Sequence, residues 1–322
     1  MSTIEFIGAL NTGLIYSFVA LGVYLSFRTL QFPDMTVDGS FPLGAAVCAT
    51  FIVLGYNPFL ATFAAFLAGC AAGLVTAYMA TRLKILNLLA GIITMAALYS
   101  VNLRIMGKPN VALLGQDSAI SCLQNYVTLT TGLPTNLSLL VVLSGLILLA
   151  CTLLYLFLSS NLGLALRATG SNPTMARAQG ISDQKMILLG LALANGSVAF
   201  GGALFAQING FADVSLGVGT IIIGLAAVII GETFLPPNKI YKALIGVILG
   251  ALFYRLIIAM ALRGSSFGLK ASDLNLVTAF LVALAMSLPQ LKQMFHKKRK
   301  WEPHAAHSQS SLEKSKKESS HD

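Results

Sequence analysis

Apolar residues run through this chain in long stretches, not in the spaced pattern of a soluble amphipathic helix. Windows near 5–27, 40–55, 58–81, 84–105, 137–158, 185–209, 217–235, 240–262 and 273–290 are apolar nearly all round. A helix crossing a membrane needs about 20 mostly apolar residues. The pattern therefore predicts an all-α, polytopic transmembrane helical bundle of about nine spans, within a range of eight to ten. Strands of a membrane barrel would alternate polar and apolar positions, and residues 139–158 do not.

Composition agrees: 56% of the 322 residues are hydrophobic and 10% are charged, with a mean hydropathy of +0.79. Water is excluded as the main solvent. The first apolar run follows no positive charge and precedes no small-residue cleavage site, so it reads as a retained span, not a removable leader. The cysteines Cys48, Cys70, Cys122 and Cys151 show no paired spacing and read as small packing residues.

The net charge of +9 does not point to nucleic acid, because the basic residues gather at the ends of apolar runs and in the tail. With the carboxyl tail in the cytoplasm, sixteen basic residues fall inside and four outside (Arg104, Lys108, Arg263 and Lys270), leaving Arg255 within a span. The positive-inside rule favours that orientation, with the amino terminus outside. Residues 1–290 form the membrane domain. Residues 291–322 read as a disordered basic cytoplasmic tail beside acidic lipid.

The chain also carries a weak copy of itself. At an offset of 179, Leu14, Val19, Ala20, Gly22, Leu25, Phe32 and Asp34 match Leu193, Val198, Ala199, Gly201, Leu204, Phe211 and Asp213, seven identities in 21 positions. One inserted residue later, Gly39, Gly44 and Ala46 match Gly219, Gly224 and Ala226. Four spans precede the fifth and four follow it, so the copies enter the membrane from opposite faces. Two inverted half-repeats are expected, meeting at a translocation path through their Gly-interrupted segments 32–55 and 211–235.

Polar groups in or beside spans are costly unless paired or wetted, which singles out Asp34, Asp38, Asn87, Asn102, Asn195, Gln207, Asp213 and Glu232 as candidates for that path. Asp34 and Asp213 have a second reading, as caps of helices beginning at Met35 and Val214. Between the fifth and sixth spans, Asn172 suits an N-cap, Pro173 the first helical position and Gly180 the left-handed residue after a helix. A two-turn helix is predicted over Pro173 to Gln179, with Met175, Ala176 and Ala178 as a small or flexible exposed face and Arg177 as a fixed charge. So short a helix needs a docking partner.

Phe32-Pro-Asp-Met-Thr-Val-Asp-Gly-Ser40, the loop Arg167-Ala-Thr-Gly-Ser-Asn-Pro-Thr-Met-Ala-Arg-Ala-Gln-Gly-Ile181 and Gly224-Leu-Ala-Ala-Val-Ile-Ile-Gly231 together resemble the branched-chain amino acid and ribose type of ABC importer permeases, over residues 8–289. The resemblance implies a core of two permease copies, cytoplasmic ATP-binding-cassette ATPase subunits and an external solute-binding protein, in a bacterial cytoplasmic membrane. It also implies an ATPase-coupling helix over Asn172, Pro173, Thr174, Met175, Ala176, Arg177, Ala178, Gln179, Gly180 and Ile181. No phosphate-binding GxxxxGK(S/T) loop occurs, so hydrolysis would belong to a partner chain. All four histidines lie in the tail and no catalytic or metal-ligand cluster is visible in the spans, so no enzyme, metal or cofactor is expected. Inverted repeats alone would suit an ATP-independent secondary transporter or channel equally well. An apolar path with few fixed charges leans toward small amino acids or other weakly polar solutes delivered by the binding protein.

Overall fold

The computed structural model describes residues 3–263; the ninth expected run at 273–290 and the tail at 291–322 lie outside the described residues. In chain order the helices are α1 (Thr3–Val23), α2 (Val37–Val53), α3 (Pro58–Thr81) and α4 (Asn87–Met106), then strand β1 (Asn110–Ala112), α5 (Ala119–Thr131), α6 (Thr135–Ser159), α7 (Asn161–Ser171), α8 (Pro173–Ala178) and α9 (Asp183–Asn209). Strand β2 (Phe211–Asp213), α10 (Thr220–Phe234) and α11 (Ile240–Arg263) follow. Each of the first eight apolar runs carries a helix. Seven helical stretches among the described residues are long and apolar enough to cross a membrane, and α2, with 17 residues, is shorter.

α2 is short because the chain turns back within the bundle before it begins. α1 ends in a π-helical extension, Tyr24–Thr29, where Ser26 Oγ donates to the Gly22 and Val23 carbonyls at 3.3 Å each. Gln31 then takes a left-handed φ of +53°, and Asp34 and Thr36 hold the bend that starts α2.

α9 is the centre of the described bundle, in contact with α1, α2 and α3. Its approach to α1 is reciprocal. A Cβ on Gly22 would press on the Ala194 carbonyl and the Val198 side chain, and a Cβ on Gly201 would meet the Ile15 carbonyl, Phe18 and Val19. Gly201 stands 179 residues after Gly22, and Ala194 and Val198 stand 179 after Ile15 and Val19. The one side-chain bond across this crossing, Ser197 Oγ to the Phe18 carbonyl at 2.9 Å, joins residues at the same spacing. Small residues here let the two backbones approach closely, the usual basis of helix association where no water is present to drive it.

The two long connections hold more structure than their sequences predict. The stretch at 106–136, which reads from sequence as a polar external loop with room for small elements, contributes β1, which pairs antiparallel with β2 in the register Asn110 to Asp213, and α5, started by a Ser118–Ser121 capping box. The stretch at 159–184 holds two helices, not one. α7 is unexpected: Ser160 Oγ accepts from the Gly163 N–H at 3.3 Å, and Leu166 is buried on the face it packs inward. The β1–β2 ribbon and α7–α8 stand at opposite ends of the bundle.

Candidate functional site

Two of the singled-out polar residues meet in one enclosed cluster. Asp34 and Asn195 are both fully buried. Asn195 Nδ2 donates to Asp34 Oδ2 at 2.7 Å and to the Leu191 carbonyl at 3.1 Å, while its Oδ1 accepts from Ser40 Oγ at 2.7 Å. Asp34 Oδ1 accepts the Thr36 N–H at 2.9 Å, and the Thr36 and Thr76 hydroxyls are 2.7 Å apart. Asp34 therefore does cap a turn. The helix it precedes begins at Val37, however, two residues later than the Met35 start read from sequence. α3 reaches the cluster because Gly73 leaves no side chain between it and α9: a Cβ there would lie 3.0 Å from Asn195 Nδ2 and closer still to the Leu191 carbonyl. Every side-chain polar atom of Asp34 and Asn195 finds a partner, which is the condition for tolerating such groups in an apolar interior.

Asp38 does not join this cluster. Its carboxylate accepts the Ile221 N–H at 2.7 Å and the Gly219 N–H at 3.3 Å, capping the start of α10 from α2. Asp213 caps the 3-10 turn Val214–Gly217 through Ser215, whose N–H donates at 2.7 Å, and accepts from Asn110 Nδ2 at 3.1 Å. Hydrogen bonding from the Ser215 side chain is the main reason its carboxyl is held below the usual carboxylate range.

Gln207 ties three elements to α9: it donates to Thr62 Oγ1 at 2.7 Å and Cys48 Sγ at 3.1 Å, and accepts the Ile120 N–H at 3.3 Å. Glu232 pairs with Arg28, whose Nη2 stands 2.9 Å from Oε2, at the end of the bundle that carries α7. Asn87 is exposed at the start of α4 and meets none of the others. Asn102 is fully buried, donates to the Gly39 carbonyl at 3.4 Å, and has no partner for its Oδ1 among the described residues.

The predicted short helix is present as α8, Pro173–Ala178, one residue shorter than read from sequence, with Gln179 at its C-cap. Asn172 Oδ1 accepts the Met175 N–H at 3.0 Å, Gly180 takes a φ of +80°, and Ile181 N–H closes the turn on the Ala176 carbonyl at 3.0 Å. One expectation is corrected. Ala176 is 2% exposed and faces the molecule, while Met175 is 61% exposed; the closing bond from Ile181 draws the chain across the Ala176 side. The outward surface is Thr174, Met175, Arg177, Ala178 and Gln179, and Arg177 Nε lies 3.4 Å from Asp183 Oδ2. α8 is joined to α7, which rests on the bend after α1 because a Cβ on Gly170 would collide with the Thr29 carbonyl.

Sequence reading missed Thr36, Ser40 and Thr76. Thr76 shares a helical face with Gly69 and Gly73, seven and three positions before it, and that small-residue stripe is the signal that could have found it. A cavity of about 560 Å³ opens between α1, α3, α6 and α9, lined by Phe18, Phe63, Phe66, Leu146 and Phe200. Its polar side chains, Ser197 and Thr62, are both already engaged, so it offers nothing to a charged solute.

Residues 6–287 match the family described as branched-chain amino acid transport system, permease component. A tyrosine transport system permease protein of Clostridioides difficile is 38% identical over 276 residues, covering 86% of this chain and 88% of that protein. An uncharacterized protein of Rickettsia prowazekii is 34% identical, covering 87% and 96%. Among solved structures, PsaBC from Streptococcus pneumoniae in complex with Fab aligns with a TM-score of 0.48 at 16% identity, covering 87% of this chain and 89% of that one.

Proposed function

The chain belongs to the permease-component family of branched-chain amino acid transport systems, multi-pass inner-membrane subunits of ABC-type transporters, and from that premise we propose that it forms, as one of two copies, the path of an ATP-driven importer for an amino acid. A separate cytoplasmic ATPase supplies the energy and an external binding protein delivers the solute. The amino-acid reading is supported by the tyrosine transport permease, which shares 38% of its aligned residues. Placing α8 in the cytoplasm and the β1–β2 ribbon outside is supported by the distribution of basic residues.

The observation that carries this reading is α8. It is a complete, capped helix of six residues with five of them exposed, too short to be stable without support. Such a helix makes physical sense as a knob for a partner's groove. Force applied at Met175 would pass through α7 to Thr29 and Leu30, and so to the bend that holds Asp34 against Asn195. The half-repeats are proposed as two inverted units crossing at α1 and α9, supported by the reciprocal contacts of Gly22 and Gly201. In such a frame the bend at Asp34 and the turn at Asp213 face opposite sides of the membrane, suited to alternate opening.

Replacing Met175 with Glu tests the coupling. Reconstituted with the ATPase and binding protein of its transporter, wild-type permease should take up L-tyrosine or another amino acid in an ATP-dependent way. Met175→Glu should lower uptake and solute-stimulated ATP hydrolysis together, by roughly tenfold, for about 1.4 kcal/mol lost at docking. Its thermal stability should stay that of wild type, because Met175 packs against little. Full ATP-driven uptake by the variant would remove α8 from coupling. Uptake by the permease alone on an ion gradient would favour an ATP-independent transporter.

A further inference from the structure

Arg255 lies inside α11, within an apolar span that runs from Ile240 to Met260. A fixed cation there is costly unless it meets an anion or water. Among the described residues no carboxylate meets it: Asp34 is held by Thr36 and Asn195, Asp38 by the start of α10, and Glu232 by Arg28. The guanidinium instead stands 5.4 Å from the centroid of the Tyr16 ring, a cation–π contact that uses none of its N–H donors in a hydrogen bond.

The placement is built. α11 comes close to α1 at Gly13, where a Cβ would stand 3.0 Å from the Leu252 side chain and 3.5 Å from the Arg255 Cβ. Tyr16 stacks on Phe41 with centroids 5.8 Å apart, Phe41 meets Phe205 at 5.7 Å, and Phe205 meets Phe211 of β2 at 6.3 Å. An aromatic series thus leads from the β1–β2 ribbon into the bundle and ends at the guanidinium. Tyr16, Phe205, Phe211 and Arg255 are all partly exposed. By the repeat spacing, Tyr16 is the counterpart of Asn195, so this place corresponds to the enclosed Asp34 cluster but has no acidic residue of its own.

We infer that Arg255, backed by Tyr16, is where the translocation path recognises the carboxylate of its solute, and that the aromatic series carries the solute's apolar side chain past it. The guanidinium offers two parallel N–H donors in the geometry a carboxylate accepts. The series of rings, one stacked pair followed by two edge-on contacts, provides an apolar surface that makes no demand for hydrogen bonds. The inference rests on the amino-acid reading above and deepens it.

Saturation-transfer NMR on the full-length chain in nanodiscs of zwitterionic lipid tests it with three probes: L-tyrosine, 3-(4-hydroxyphenyl)propionate and tyramine. The two carboxylates should give signal and tyramine should not. Arg255→Gln should weaken the carboxylate signals by roughly tenfold or more, the usual worth of a hydrogen bond to a charged group, while Arg255→Lys keeps part of them. The melting temperature of Arg255→Gln should equal or exceed that of wild type, since an unpaired charge is removed; a structural arginine would move it down. Carboxylate binding unchanged in Arg255→Gln, tyramine bound as well as L-tyrosine, or no signal from either carboxylate overturns the inference. Binding of the propionate but not of L-tyrosine would instead leave Arg255 in place and sink the amino-acid reading.

Discussion

Asp34 and Asp213 each accept the backbone N–H two residues onward, from Thr36 and Ser215, and each stands where a long helix gives way to a shorter one. Their surroundings differ completely. Asp34 is sealed among α2, α3 and α9, with Asn195 on its second oxygen. Asp213 sits at the ribbon with Asn110 beside it and is partly exposed. The residue that answers Asn195 by the repeat spacing is Tyr16, which faces Arg255 in place of a carboxylate. The same turn chemistry therefore serves a closed polar joint at one end of the bundle and an open rim at the other. The two bends share a local turn, and what distinguishes them is the tertiary partner each one meets.

The largest effect should come from unsealing the closed joint. Asn195→Leu strands Asp34 Oδ2 and the Ser40 hydroxyl in an apolar interior, at about 1–3 kcal/mol for each group left unmade. The variant should unfold well below wild type in detergent thermal melts. Asn195→Asp should be at least as damaging, since it sets two acidic groups against each other. A wild-type melting temperature for Asn195→Leu would mean that the cluster adds nothing to the joint.

A middle effect is expected at Asp38, which ties α2 to the start of α10. Asp38→Ala removes acceptors for two backbone donors and should cost about 0.5–2 kcal/mol, the range for a lost helix cap. Asp38→Asn should keep most of the loss at bay by retaining one acceptor oxygen. Equal melts for Ala and wild type would show that water replaces the cap at no cost.

How far the sequence spoke depends on what each feature requires. Periodicity placed helices at eight runs because an apolar stretch of that length has few other ways to satisfy its backbone. Asn172, Pro173 and Gly180 located α8 because caps are local chemistry. The inward turn of Ala176 was illegible, since it depends on the bond from Ile181 and on where α8 lies against its neighbours. Thr76 and Ser40 were missed because nothing short-range marks a hydroxyl as the partner of another hydroxyl 40 residues away or of an amide 155 residues away. Arg255 was visible as a charge within a span, but its contact with Tyr16 depends on the close approach of α11 at Gly13.

The smallest effect should lie at the open rim, and its pH dependence gives the comparison its sharpest form. Hydrogen bonds from Ser215 hold the Asp213 carboxyl below the usual carboxylate range, so the folded pKa is lower than the unfolded one. Its contribution to stability is therefore fully present above the ordinary carboxylate pKa of about 4 and is lost as pH falls through the lower folded value. Asp213→Asn keeps an acceptor for the Ser215 N–H but not the charge, so it should melt slightly below wild type at pH 7, by no more than about 0.5–1 kcal/mol for a partly exposed cap. The difference between the two should hold above about pH 4, the ordinary carboxylate pKa, and shrink as pH falls below it toward the lower folded value, as the unfolded and then the folded wild type take up the proton. If the gap instead stays constant across that interval, Asp213 holds its turn by shape alone, and the rim differs from the sealed joint in exposure but not in electrostatics.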